Sequence, residues 1–305
     1  MDNHPGLREM KFFILAGGYG QRARPLSWVK PKASFPLHGV PLVKIMLEQL
    51  KNIGFTAGFI NLHYKSEVIR ESVGTVPGLT INYLYETELS GSRILTGALA
   101  AMPDEDEFLF IMNGDIFLDI SEVLTSPMIR EIMETDADGA LLLRKNDDPV
   151  YAAVLAEKGF FRCIEKNNGG ESFMYTGVAL FKRKVIESIV HTNFFHSLAA
   201  HDFKIKTFVY DGIWLDIGNP RLYFEANTRY KEYIKKGAQS NSLSENVIIS
   251  PDSHINHCIA WENTEITGGS TLYDCIVTGN LALHDVHYTG KIIYARDDMI
   301  KIESI

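Results

Sequence analysis

Phe12-Phe13-Ile14-Leu15-Ala16-Gly17-Gly18-Tyr19-Gly20-Gln21-Arg22-Ala23-Arg24-Pro25-Leu26, with Pro31-Lys32 shortly after, is the stretch on which the reading of this chain turns. A short apolar run ending in three glycines within four positions reads as a buried strand running, at Leu15 and Ala16, into a loop whose backbone can approach a ligand closely. Without side chains at Gly17, Gly18 and Gly20, backbone N–H groups are free to cradle phosphate oxygens, and Arg22 and Lys32 supply compensating positive charge. That combination suits a nucleoside triphosphate.

Other readings of the loop compete. Gly18 to Ala23 fits the relaxed dinucleotide fingerprint G-x-G-x-x-G/A, which requires a helix directly afterwards and an acidic residue about 20 positions on. Here Pro25, Pro31, Pro36 and Pro41 keep the chain extended to residue 41, and the next strand, near Ala57–Leu62, ends without an acid to hold a ribose. A Walker loop would need G-K-[ST], which is missing. A glycine turn carrying solvated arginines remains the bland alternative for the loop taken alone.

Moving outward, apolar runs at 12–16, 57–62, 80–84, 107–112 and 138–143 read as strands, separated by helical patterns near 42–53, 65–73, 94–102 and 121–135. Strand alternating with helix implies a Rossmann-like, mostly parallel α/β sheet with helices on both faces, and ligands in such sheets sit beyond the carboxyl ends of the strands. Asn113-Gly114-Asp115 follows Phe108-Leu109-Phe110-Ile111-Met112 at that same edge. Asp115 could offer its carboxylate to a hard cation such as Mg²⁺, or simply cap a strand-end turn. Further β-rich runs lie at Tyr151–Ala156, Phe160–Glu165 and Phe173–Phe181. A helical stretch around 194–198, a strand from 204 to 210 and a helix over 221–236 follow.

Residues 15–32 resemble the signature of the sugar-nucleotide pyrophosphorylases, L-x-G-G-x-G-T-R-L-x-P-L-T-x-x-x-P-K, with Gln21, Ala23 and Ser27 as mild departures. These nucleotidyltransferases join a sugar 1-phosphate to an NTP. The resemblance covers about residues 11–302 and implies roles for further positions. Asn113-Gly114-Asp115 is similar to the family's N-G-D, and Gly212-Ile213-Trp214-Leu215-Asp216-Ile217-Gly218-Asn219-Pro220 to its W-x-D-I-G-T-P. Asp115 and Asp216 would then share Mg²⁺ across the cleft, Arg22 would hold the leaving pyrophosphate and Lys32 the α-phosphate region. Leu15, Ala16, Gly17, Gly18, Gly20 and Gly114 would line the nucleotide.

Glu86-Thr87-Glu88-Leu89-Ser90-Gly91-Ser92-Arg93-Ile94-Leu95-Thr96-Gly97-Ala98-Leu99 resembles the base-reading E-x-x-x-L-G-T-A-G-A-L, lengthened by about three residues, with Gly91 as the backbone platform. Ile164-Glu165-Lys166 matches the family's E-K, which implies that Glu165 accepts from sugar hydroxyls and Lys166 neutralises the sugar phosphate. A solvated strand-end ion pair is the plain alternative. Tyr175-Thr176-Gly177-Val178 stands where relatives carry N-A-G-I/V, placing Gly177 beside the sugar and losing an amide at Tyr175.

The chain has 305 residues, 46% of them apolar, enough for two domains and a large core. We expect a catalytic domain over 1–237 and a second domain over 243–305. In the second, apolar positions near Ile249, Ile255, Trp261, Ile266 and Leu272 recur about every six residues, the mark of a parallel β-helix of about three coils. Many family members end in a left-handed hexapeptide β-helix, and Trp261-Glu262-Asn263-Thr264-Glu265-Ile266 is similar to its W-E-N-V-E-I. A coil this short should pack on the catalytic domain or a second subunit, so a homo-oligomer joined through the β-helix is expected.

A formal charge of −8 argues against nucleic acid or an anionic membrane as partner. No apolar run reaches about 18 residues, Met1–Met10 has no apolar h-region, and Cys163, Cys258 and Cys275 form neither a C-x-x-C pair nor a disulfide framework. A cytoplasmic protein with free thiols is expected. The intervals between His191, His196 and His201 put no two of them on one helical face, which speaks against a histidine metal site. The favoured guanylyl transfer to mannose 1-phosphate, or uridylyl or thymidylyl transfer to glucose 1-phosphate, stands beside a catalytically silent regulatory subunit of the same family. An acyltransferase and a nicotinamide oxidoreductase are further options, each short of its motif.

Overall fold

The computed structural model describes residues 10–102, 107–125, 131–132, 134–146, 148–167, 172–191, 193–234 and 240–305. A nine-stranded sheet carries the fold, in the order Thr80–Tyr85, Ala57–Leu62, Lys11–Leu15, Phe108–Asn113, Ser172–Lys182, Gly139–Asn146, Ile205–Val209, Phe160–Glu165, Ala153–Glu157. Only Ser172–Lys182 and Phe160–Glu165 run against the others, so the sheet is mostly parallel, as the alternation of elements requires. Phe12, Phe13 and Ile14 are fully buried because both faces of this central strand are covered. Phe12 and Ile14 pack with Met46, Leu47 and Leu50 on one face. Phe13 packs with Leu95, Ala98 and Val185 on the other.

The helix Leu42–Ile53 follows from its sequence. Leu42, Val43, Met46, Leu47 and Leu50 form one buried stripe at helical spacing, and Gly54, at φ +118°, ends the helix in a conformation other residues resist. The helix Pro220–Tyr233 begins with proline at its first position, while the Asn219 side chain accepts from Leu222 N at 2.9 Å. The expected strands fall within two residues of their observed bounds, except that the 138–143 run extends as Gly139–Asn146. The 94–102 pattern yields a shorter helix, Ile94–Leu99, entered by a 3₁₀ turn, Gly91–Arg93. Of the 121–135 pattern, Ile120–Thr125 is helical, while 126–130 and 133 lie outside the described residues, as do 235 and 236 of the 221–236 helix.

Beyond residue 240 the chain winds as a parallel β-helix with three sheet faces. Its period is not a strict six. Successive turns pair Ile248 with Glu265 and Glu265 with Ala282, a coil of 17 residues, and the last coil shortens to 16, pairing Ile276 with Ile292. Ile266, Leu272 and Leu283 fill the interior beside Cys258 and Cys275, which are buried and unbridged. Trp261 departs from the inward series the sequence suggested. It is fully buried in the core of the nine-stranded unit, against Phe35 and Tyr223. Its neighbour Ala260 points into the coil, so Trp261, on the opposite side of the backbone, faces outward to reach these partners. Met299–Ser304 then folds back antiparallel on Lys291–Arg296 and closes the last coil.

Candidate active site

The carboxyl ends of the two central strands bring the glycine loop and Asn113-Gly114-Asp115 together. Leu15 pairs with Asn113, and Gly114 N donates to Leu15 O at 2.8 Å. A Cβ at Gly114 would sit 2.8 Å from that same carbonyl oxygen, so glycine is what permits the approach. Gly20, at φ +63°, turns the loop back so that the Lys32 stem passes beside it; a Cβ there would stand 3.3 Å from Lys32 Cγ. Lys32 Nζ forms an ion pair with Asp115 Oδ2. Arg22 is exposed at the loop, near enough to Tyr151 for its charge to act on the phenol.

The glycine loop holds its shape through a residue the sequence reading missed. Asn61 Oδ1 accepts from Ala16 N at 2.7 Å and Gly17 N at 3.3 Å, while Asn61 Nδ2 donates to Glu86 Oε2 at 2.5 Å. Glu86 Oε1 in turn accepts from Ser90 N at 2.9 Å and Ser90 Oγ at 2.7 Å. The amides of Ala16 and Gly17 are therefore directed at Asn61, so of the three glycine amides expected to face phosphate that of Gly17 already has an acceptor. Gly17 is glycine because a Cβ would lie 2.7 Å from Asn61 Nδ2. The Cβ side of Gly18 is open. Asn61 occupies the strand end that lacks a ribose-binding acid, and a polar residue closing a buried apolar run was its available signal. Gly91, at φ +60°, opens the turn after Ser90.

Asp216 reaches Asp115 from the other half of the chain. The strand Trp214–Asp216 pairs antiparallel with Ile116–Leu118, matching Asp216 to Ile116, and Ile217 N donates to Asp115 O at 3.2 Å. Gly218 N at 2.7 Å and Tyr151 OH at 2.6 Å donate to the Asp216 carboxylate. Burial raises the Asp216 pKa above the ordinary carboxylate value; the Tyr151 bond opposes this, and the Asp115 charge adds to it. Tyr151, another residue the reading did not single out, stands edge-on to Trp214 at 5.9 Å. Trp214 is fixed by its indole N–H to Thr176 O at 2.8 Å.

Gly177, at φ +94°, sits in an irregularity of the Ser172–Lys182 strand between Tyr175 and Ala179. A Cβ there would meet Ile116 Cδ1 at 2.8 Å and Asn113 Nδ2 at 3.0 Å, which places it against the Asp115 loop. Tyr175 turns into the apolar cluster of Phe194 and Phe195, its hydroxyl buried without a hydrogen-bond partner among the described residues. Glu165 and Lys166 are exposed. Glu165 pairs with Ala153, two residues after Tyr151, so this pair stands at the rim next to the tyrosine rather than in contact with the aspartates.

The donor set can be tested against a divalent ion. Asp115 lies one residue before the strand that pairs with Trp214–Asp216, and burial together with the Asp115 charge disfavours charge on Asp216. Among the described residues no group of three or more His, Cys, Asp or Glu gathers. Two protein oxygens with the remaining positions left to phosphate and water suit Mg²⁺, which retains water and prefers few carboxylates.

An open sheet with a glycine loop, a lysine and two carboxylates at its carboxyl edge defines a phosphate-handling α/β protein. The chain belongs to the nucleotidyl transferase family, whose pattern matches residues 11–233. It is 26% identical over 301 residues to mannose-1-phosphate guanylyltransferase 1 of Arabidopsis thaliana, covering 90% of this chain and 80% of that protein. The mannose-1-phosphate guanyltransferase of Gibberella zeae is 25% identical over 270 residues, covering 81% and 73%. Among solved structures, HddC from Yersinia pseudotuberculosis superposes with a TM-score of 0.60 at 25% identity, over 72% of this chain and 99% of that one. HddC has also been solved with GMP-PN. No helix among the described residues is long and apolar enough to cross a membrane.

Proposed function

We propose that this protein joins a sugar 1-phosphate to an NTP, releasing pyrophosphate, with GTP and mannose 1-phosphate as the favoured pair and UTP or dTTP with glucose 1-phosphate next. The observation that carries the reading is the meeting of Lys32, Asp115 and Asp216 beyond the glycine loop. The relatives named above act on mannose 1-phosphate by name. Residues 1–237 would form the catalytic domain and 243–305 the second, through which copies of the chain would assemble.

The reaction is in-line displacement. A phosphate oxygen of the sugar 1-phosphate forms a bond to the α-phosphorus, and the bond from that phosphorus to the bridging oxygen of pyrophosphate breaks. The nucleophile is already an anion, so no general base is required. The chain's work is to position two repelling anions and to answer the charge that collects between them. Gly18 and Gly20 leave the loop narrow enough for phosphates to lie along it. Arg22 holds the departing pyrophosphate and Lys32 the α-phosphate. Asp115 and Asp216 would hold Mg²⁺, which when bound supplies positive charge to the phosphate oxygens. Tyr151 keeps the Asp216 carboxylate oriented, and Glu165 and Lys166 at the rim receive the sugar hydroxyls and its phosphate. Glu86 and Ser90 order the segment leading to Gly91, where the base is read.

The test is a pyrophosphate-release assay with Mg²⁺, each NTP and a panel of sugar 1-phosphates. Turnover with GTP and mannose 1-phosphate above the other pairs is expected. Silence across the whole panel would favour the regulatory-subunit reading, for which the buried Tyr175 and the altered 86–99 segment speak.

A further inference from the structure

The residues Trp261-Glu262 belong to the β-helix by sequence, but their side chains end on the loop that carries Lys32. Glu262 Oε1 forms an ion pair with Lys30 Nζ at 2.5 Å, both side chains being largely shielded from solvent. Lys30 also stands 5.7 Å from the centre of the Trp261 ring. On the far side of Lys32, Phe35 packs on Trp261 at 5.3 Å, and Trp261 Nε1 donates at 2.9 Å to Tyr223 OH, which donates at 2.7 Å to Pro36 O. The loop is thus gripped upstream at Lys30 and downstream at Phe35 and Pro36, with Lys32 and its Asp115 partner between the two grips.

The coil is shaped to hold Glu262 in place. A Cβ at Gly279 on the next turn would lie 2.6 Å from Glu262 O and 3.1 Å from Glu262 Oε1, and Asn280 N donates to Glu262 O at 3.1 Å. Bare glycine at 279 lets the glutamate lie against the neighbouring rung with its carboxylate aimed at Lys30. The region just upstream is gripped as well: Trp28 meets Tyr294 at 5.9 Å, and the Arg296 guanidinium lies 3.9 Å over the Trp28 ring.

We infer that Glu262 and Trp261 are positioning residues for Lys32, so that the β-helix is part of the catalytic apparatus and not only an assembly module. This rests on the proposed nucleotidyl transfer. The physical reason is that a lysine stem is flexible and a positional error of about 1 Å at a reacting centre costs on the order of 10²-fold in rate. A rigid coil that ties down both flanks of the loop removes that freedom before substrate arrives.

The experiment compares the full-length protein with Glu262→Gln and with the charge swap Lys30→Glu/Glu262→Lys. Amide hydrogen exchange is read at Ser34 and Phe35, whose N–H groups donate to Pro31 O and Lys32 O in the intervening turn. In Glu262→Gln these amides should exchange faster, kcat should fall about tenfold with the KM for the NTP within about twofold, and the urea midpoint should hold. The swap should recover most of both losses; because the urea midpoint holds in Glu262→Gln, a kcat loss that the swap reverses is not a loss of fold stability, which is what a merely structural ion pair would give. Unchanged exchange in Glu262→Gln overturns the clamp, whether or not the protein turns over. Faster exchange with unaltered kcat overturns the positioning role. If the wild-type protein is silent with every substrate pair, the nucleotidyl-transfer reading fails and the exchange data still judge the clamp.

Discussion

Replacing Asn61 by leucine keeps the branching at Cγ and removes the amide, and it tests whether one buried side chain shapes the glycine loop. Ala16 N and Gly17 N would lose their common acceptor, at 2.7 and 3.3 Å, and Glu86 would lose a donor at 2.5 Å. A buried donor left unpaired costs about 1–3 kcal/mol. The shorter bond should count nearly in full and the longer one for less, so the loss is roughly 3 kcal/mol. With a urea slope near 3 kcal/mol/M, the midpoint falls by about 1 M. Leucine is the informative change, because aspartate would set a second carboxylate against Glu86. Equilibrium urea unfolding followed by far-UV circular dichroism reads the stability, and initial rates read the KM for the nucleotide, which should rise as the loop loosens. A midpoint shift under about 0.2 M with an unaltered KM would refute the argument, since neither amide would then depend on Asn61.

Removing either cation proposed to answer phosphate charge, in Arg22→Ala or Lys32→Ala, should lower kcat by about 10²–10³ in the pyrophosphate assay, and a loss under about tenfold contradicts the proposed roles. Because burial raises the Asp216 pKa, its charged form is less favourable in the folded than in the unfolded chain, a cost present above the ordinary carboxylate range. Asp216→Asn should accordingly raise the unfolding midpoint while reducing turnover by about 10²–10³; a destabilised variant would reverse the sign of the argument. The same shift places the acid limb of kcat/KM above the usual carboxylate range, because a protonated Asp216 cannot hold a cation. Tyr151→Phe deletes the bond that pulls this pKa down, so the limb should move to higher pH, and a limb that stays put or moves down rejects the assignment. Gly114→Ala drives a Cβ to within 2.8 Å of Leu15 O, a backbone atom with little room to yield. It should cost about 1–3 kcal/mol in thermal or urea unfolding.

Much of the site was legible in residue order because its parts lie at strand ends, and strand ends are set by local pattern. The apolar run 12–15 had to be a strand covered on both faces, and the glycines after it had to be a bend. Asp115 followed from the same rule applied to Phe108–Asn113. Asn61 was hidden because its importance lies in what it accepts across 44 and 45 positions, and an asparagine at the end of a strand looks ordinary. Tyr151 was hidden for the same reason, its hydroxyl serving a carboxylate 65 positions away. The six-residue rhythm of the coil was visible, while its 17-residue turns were not, since a residue dropped at a corner leaves the inward aliphatic pattern nearly intact.

The sequence by itself determined the alternation of strand and helix, the glycine bend, the candidate cations and carboxylates, and the change to a coil beyond residue 240. These follow from hydrophobic period, backbone permissiveness and residue chemistry, all of which act over a few positions. Only the tertiary structure decided that the Asp216 strand pairs beside the Asp115 turn, that the amides of Ala16 and Gly17 are already taken, and that Trp261 leaves its own coil to enter the core of the sheet. Each of these depends on which distant surfaces meet, and that is set by the packing of the whole chain, which no local pattern records.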